Sequence, residues 1–98
     1  MTIQQAALER TFKDMGYVSM EDFAIQKARE ELLREKKISD DEIARFEAKY
    51  GMTFAEFDAR FFELIEFGLF EREDDLMDWR AEVHVRSVVE ERLTRLAG

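Results

Sequence analysis

Apolar residues along the chain recur at three- and four-residue steps, and no stretch alternates with the two-residue period of a strand. The spacing predicts helices. Their starts are marked by a hydroxyl residue followed three positions later by an acid or amide: Thr2 with Gln5, Ser19 with Asp22, Ser39 with Glu42, and Thr53 with Glu56. Gly16, Gly51 and Gly68 fall where helices should end or turn, because glycine enters the left-handed conformation without steric cost. Together these signals predict helices near 3–14, 20–37, 40–50, 54–67 and 75–96. The one β-favouring run, Val83 to Val89, contains Arg86 and Ser87 and lies within a strong helical pattern. The chain has no proline, so long helices are permitted.

In the fourth predicted helix, Phe54, Phe57, Phe61, Leu64, Ile65 and Gly68 share one face, which should be core. Phe62, Phe67 and Phe70 point elsewhere on the same wheel, so another helix, a second chain or water must meet them. The last helix changes its apolar face near residue 84: Leu76, Trp79 and Val83 form one stripe, and Val85, Val88, Val89, Leu93 and Leu96 lie roughly opposite. A bend would explain this, but the preferred expectation is two neighbours, one for each half, with a symmetry mate as a candidate for the second. The fold expected is all-α: one domain over 1–98, a small bundle of about five helices completed by dimerisation.

Length and charge sharpen that picture. Ninety-eight residues support one small core, and with no cysteine there is no disulfide to assist it. The net charge of −8 is uneven, since residues 1–38 hold seven Lys/Arg against seven Asp/Glu, and residues 39–98 hold eight against sixteen. An acidic, aromatic-rich second part repels phosphates and attracts a basic partner, so direct nucleic-acid binding is disfavoured there. A solvated acidic surface serving solubility is the plain alternative. The longest apolar runs, Phe61-Phe62 and Phe67 to Phe70, are too short to span a bilayer. The opening Met1-Thr-Ile-Gln-Gln lacks the basic and apolar regions of a secretory signal. With the lack of cysteine, this makes a cytoplasmic location the expectation.

Candidate chemistry is sparse. Asp75, Asp78 and Glu82 share a helical face near Glu71 and Asp74, yet they lack the alternating acids of a calcium loop and the Glu-x-x-His pairs of a di-iron bundle. Acids at a helix start satisfy the macrodipole unaided, so neither a metal nor another cofactor is expected. His84 is the only histidine and has no nucleophile at a recognisable spacing, so no catalytic residue is assigned and the expectation is a non-enzyme. Lys27, Arg29, Arg34, Lys36 and Lys37 interleave with Glu30, Glu31 and Glu35 as on a solvated helix, not as a nucleic-acid patch.

The run Arg45-Phe-Glu-Ala-Lys-Tyr-Gly-Met-Thr-Phe-Ala-Glu-Phe57, followed by Glu73-Asp-Asp-Leu-Met-Asp-Trp79, resembles a family of small archaeal and cyanobacterial proteins described as antitoxins of two-gene toxin–antitoxin modules. The resemblance spans roughly residues 39–97, with a looser match at Gly16 to Phe23. It maps onto Tyr50, Gly51, Met52, Phe54, Phe57, Asp75, Asp78 and Trp79. It implies a stoichiometric inhibitor that contacts a small, basic ribonuclease-like toxin directly. The partner-binding residues expected are Phe62, Phe67, Phe70, Asp74, Asp75, Asp78 and Trp79, with buried Phe and Trp anchors supplying affinity and acid speeding encounter. The alternative is a structural or regulatory homodimer whose aromatics bury one another without a toxin.

Overall fold

The computed structural model describes residues 1–97, which form four α-helices and one short 3-10 turn. Helix α1 spans Ile3–Asp14, α2 spans Met20–Tyr50, α3 spans Phe54–Ala59, the 3-10 turn covers Phe61–Glu63, and α4 spans Leu69–Ala97. The all-α expectation is met among these residues, with four helices in place of five.

Three boundaries differ from the sequence reading. The helices expected at 20–37 and 40–50 are one helix of 31 residues, and Ser39, expected as a cap, is buried inside it. The pairs Lys36–Asp40 at 2.8 Å and Lys37–Asp41 at 3.2 Å span the anticipated break and staple the turns on either side. The helix expected over 54–67 stops at Ala59, and α4 begins at Leu69 instead of residue 75. Between them the chain folds inward, burying Phe61 and Leu64, so Ile65 leaves its predicted core face and becomes exposed.

The caps at the other starts follow the sequence. Thr2 with Gln5 and Thr53 with Glu56 form complete capping boxes. Ser19 accepts from the Asp22 amide, while Asp22 accepts from Val18. Gly51 closes α2 at φ 67° and Gly16 follows α1 at φ 96°, both left-handed. Gly68 has no such conformation; its carbonyl instead accepts the Arg72 amide and opens α4.

Helices α2 and α4 run antiparallel along their shared length. Lys49 and Tyr50 meet Asp75, Phe46 stacks on Trp79, Asp40 reaches Arg86, and Lys36 reaches Glu90. From Trp79 onward the buried and half-buried positions of α4 are 79, 82, 83, 86, 88, 89, 93 and 96, of which 79, 83, 86, 89, 93 and 96 recur close to a 3.5-residue repeat. A straight helix read at 3.6 residues per turn drifts by about 20° per heptad from that repeat. Part of the apparent change of face near residue 84 is this drift; Val85 is exposed, α2 lies along both halves of α4, and α3 adds to the first half through Phe54 and Phe57 on Trp79.

The resulting body measures 66 × 21 × 19 Å, with a radius of gyration of 20.6 Å. A compact chain of this length would have about 13 Å. Residues 39–82 form a head that contains the core, and residues 1–38 with 83–97 form a long stem. In the stem, α1 buries no residue and is tied to α2 through Phe12, which stacks on Phe23 at 4.4 Å, and Tyr17, edge-on to the same ring at 5.0 Å.

Candidate functional site

The head is an aromatic cage around Trp79. Phe46 stacks on the indole at 5.4 Å between ring centres, and Phe54 and Phe57 tilt against it at 5.5 and 5.1 Å. Tyr50 closes the cage at 6.0 Å. These residues converge because α2 delivers positions 46 and 50 one turn apart, the Thr53 cap starts α3 so that Phe54 and Phe57 follow, and α4 returns antiparallel. Trp79 is 0 % exposed, and its indole N–H finds no acceptor among the described residues. An indole held without a hydrogen bond is retained for its ring area. Expected as a partner anchor, Trp79 has no surface to present in the folded chain.

Asp75 likewise turns inward. Its carboxylate accepts from Tyr50 Oη at 2.5 Å and Lys49 Nζ at 2.6 Å, and Lys49 also reaches Glu71 at 3.5 Å. Burial alone would raise the Asp75 pKa, but the bonds from Lys49 and Tyr50 outweigh it and hold the carboxyl below its usual value. Burial, with the bond to Asp75, pushes the Tyr50 phenol well above its ordinary range. The bond to Asp75 also raises the Lys49 ammonium. With its acceptor oxygen occupied from two sides, Asp75 fastens α4 to the end of α2. Asp74 and Asp78 are exposed. Among the described residues, no group of three or more His, Cys, Asp or Glu side chains is arranged to hold a metal ion.

A further determinant had no signal in the sequence. Arg72, 6 % exposed, donates to the carbonyls of Phe61, Phe67 and Gly68. Its guanidinium also lies 5.3 Å from the centre of the Phe61 ring. One buried cation thus satisfies carbonyls left open where the chain departs from helix. Its partners lie four to eleven positions away in an irregular segment, so no helical spacing could have revealed them.

What the head presents outward follows from that inward fold. Phe62, Ile65 and Phe70 are 83 %, 82 % and 80 % exposed. Met77, also exposed, lies two helical turns after Phe70 on the same face of α4, with Glu73 and Asp74 between them. Phe67 is not part of this surface: it packs into the core 4.6 Å from Tyr50. Of the residues expected to meet a partner, Phe62, Phe70, Asp74 and Asp78 therefore lie outside, and Phe67, Asp75 and Trp79 are engaged within the head. Exposed Ile65 and Met77 were missed, Ile65 because it was placed on a helix that ends earlier.

Charge follows the same division. Residues 39–82 carry five Lys/Arg against fourteen Asp/Glu, whereas residues 1–38 and 83–97 together carry ten against nine. The excess acid and the exposed aromatics therefore belong to the same region of the chain. No helix among the described residues is long and apolar enough to cross a membrane. No protein-family model, curated protein or solved structure matches the chain.

Proposed function

We propose that the chain is a non-catalytic protein-binding module whose head engages a small basic protein, with the antitoxin of a toxin–antitoxin pair as its most concrete form. The observation that carries this reading is Phe62, Ile65 and Phe70, each at least 80 % exposed, on a head with nine more acids than bases. Exposed apolar side chains of this kind add little to the stability of a monomer and fit binding anchors. The head's carboxylates attract a cationic partner over long range and favour fast encounter. The same charge disfavours phosphate backbones. The antitoxin form rests on the resemblance of residues 45–57 and 73–79.

The test is co-expression of the tagged chain with the product of the adjacent gene, followed by light scattering of the purified material. A stable complex with a small basic protein is expected, weakened at least thirtyfold by Phe70→Ala and less by any single rim carboxylate change. A complex indifferent to both Phe62→Ala and Phe70→Ala, or no complex at all, would overturn the assignment.

A further inference from the structure

The stem poses a separate physical problem from the head. The chain exposes 7188 Å². A compact protein of 11.7 kDa exposes about 5,900 Å², so roughly 1,300 Å² per chain is in excess. A stable interface covers about 800 Å² on each partner. The excess accompanies the stem, where α1 meets α2 around Phe23 and buries none of its own residues. Leu8, Ile25, Leu33 and Ile38 are all exposed there.

One face of the stem has a defined shape. Asp22, Gln26 and Glu30 form one row of side chains at four-residue steps, and Ile25, Arg29 and Leu33 form the next. Between these rows runs a shallow groove of about 300 Å³. Rows at four-residue steps are the ridges that interdigitate when helices pack.

We propose that this groove is where a second copy of the chain docks, α2 against α2 across a twofold axis. Charge selects that occupant. The stem, with ten bases against nine acids, meets its own copy without net repulsion, whereas two heads with nine excess acids each repel one another. A twofold contact joins identical surfaces, so the ridges that interlock are both of the four-residue kind, and the helices cross at about −50°. In that arrangement Ile25 and Leu33 enter the facing groove, and the Arg29 guanidinium meets the carboxylates of the opposing ridge. With the two α2 helices antiparallel, the sense that repulsion between the acidic heads favours, the heads lie at the far ends of the assembly and their aromatic surfaces stay open. The pairing uses none of the head surface and stands whether or not the head binds a partner.

Sedimentation equilibrium of the full chain across micromolar to hundred-micromolar concentration tests the pairing. The expected species has twice the 11.7 kDa of one chain, with little dependence on salt. The double change Ile25→Asp, Leu33→Asp should raise the dissociation constant at least a hundredfold while Trp79 emission, which reports the head, stays unchanged. Because the chain has no cysteine, Gln26→Cys should give a disulfide-linked dimer on mild oxidation and Phe62→Cys should not. A monomer at all concentrations, or a dimer that survives the stem change and dissociates on Phe62→Ser with Phe70→Ser, would overturn the proposal.

Discussion

Nine of the ten buried side chains of the described residues lie between Ser39 and Trp79, while the longer stem contributes only Val89. Both regions rest on the same two helices, so helix formation itself does not distinguish them. What differs is the third element. In the head, α3 and the inward-folded segment through Leu64 close over α2 and α4, and each buried aromatic finds neighbours on several sides. In the stem the added helix, α1, buries no residue, and much of the polar surface is organised as short-range pairs such as Lys27–Glu30 and Arg95–Glu91. Exposed pairs of this kind contribute only a few tenths of a kcal/mol each. Stability should therefore reside in the head.

The largest effect should come from the centre of the cage. Trp79→Ala removes the largest fully buried side chain and should cost about 3–5 kcal/mol. In dilute protein, Leu33→Ala in the stem should cost about 0.5 kcal/mol or less. Urea denaturation followed by circular dichroism compares the two, and similar losses would break the contrast between the regions. Arg72→Met comes next. It keeps much of the apolar stem and deletes the donors to Phe61, Phe67 and Gly68, with an expected loss of about 2–3 kcal/mol. Loss of near-ultraviolet ellipticity with far-ultraviolet signal retained would locate the damage in the 61–68 segment.

The helices and most of the head were legible before the structure because they depend on local spacing. The Thr2 and Thr53 boxes and the Gly16 and Gly51 turns use residues within one turn of each other, and the core positions Phe54 and Phe57 follow from periodicity. Ser39 shows where local rules fail: its hydroxyl pattern matched a cap, but a small side chain facing α4 was the tertiary use. Trp79 shows a related limit. An acidic run beside an aromatic cluster reads as a binding surface, and only the antiparallel return of α4 shows that the indole points inward. Arg72 depends on carbonyls of a segment that is not helical, and the Tyr50–Asp75 bond joins residues twenty-five positions apart. Neither has a spacing to read.

The Tyr50–Asp75 bond predicts an intermediate effect with a distinctive pH signature. Tyr50→Phe should cost about 1–1.5 kcal/mol at neutral pH. The Asp75 carboxyl is lower in the folded chain than in the unfolded one, so its contribution is complete above the unfolded value near pH 4 and disappears as pH falls through the folded value. The Tyr50 phenol is raised on folding, so its contribution is complete below about pH 10 and is lost as pH rises beyond that point. Melting temperatures across pH 2–11 should show both limbs in the natural chain. In Tyr50→Phe the alkaline limb should shrink and the acid limb should remain in part, since Lys49 still holds Asp75. An unchanged alkaline limb would show that another group governs it.

The smallest change in stability should come from the most conspicuous residues. Phe62→Ser and Phe70→Ser remove aromatic rings that are already 83 % and 80 % exposed, so each should alter the unfolding free energy by less than about 0.5 kcal/mol. Phe62 does retain an edge contact with Phe61 at 5.1 Å. Within that small range its loss should therefore exceed that of Phe70. A loss above 1 kcal/mol from Phe70→Ser at low protein concentration would mean that the ring is covered in the free chain, and the separation of a stabilising interior from a binding exterior would fail. If stability holds while complex formation weakens at least thirtyfold, the head's two sets of aromatics have different duties: Phe46, Phe54, Phe57 and Trp79 hold the fold, and Phe62 and Phe70 are free to meet a partner.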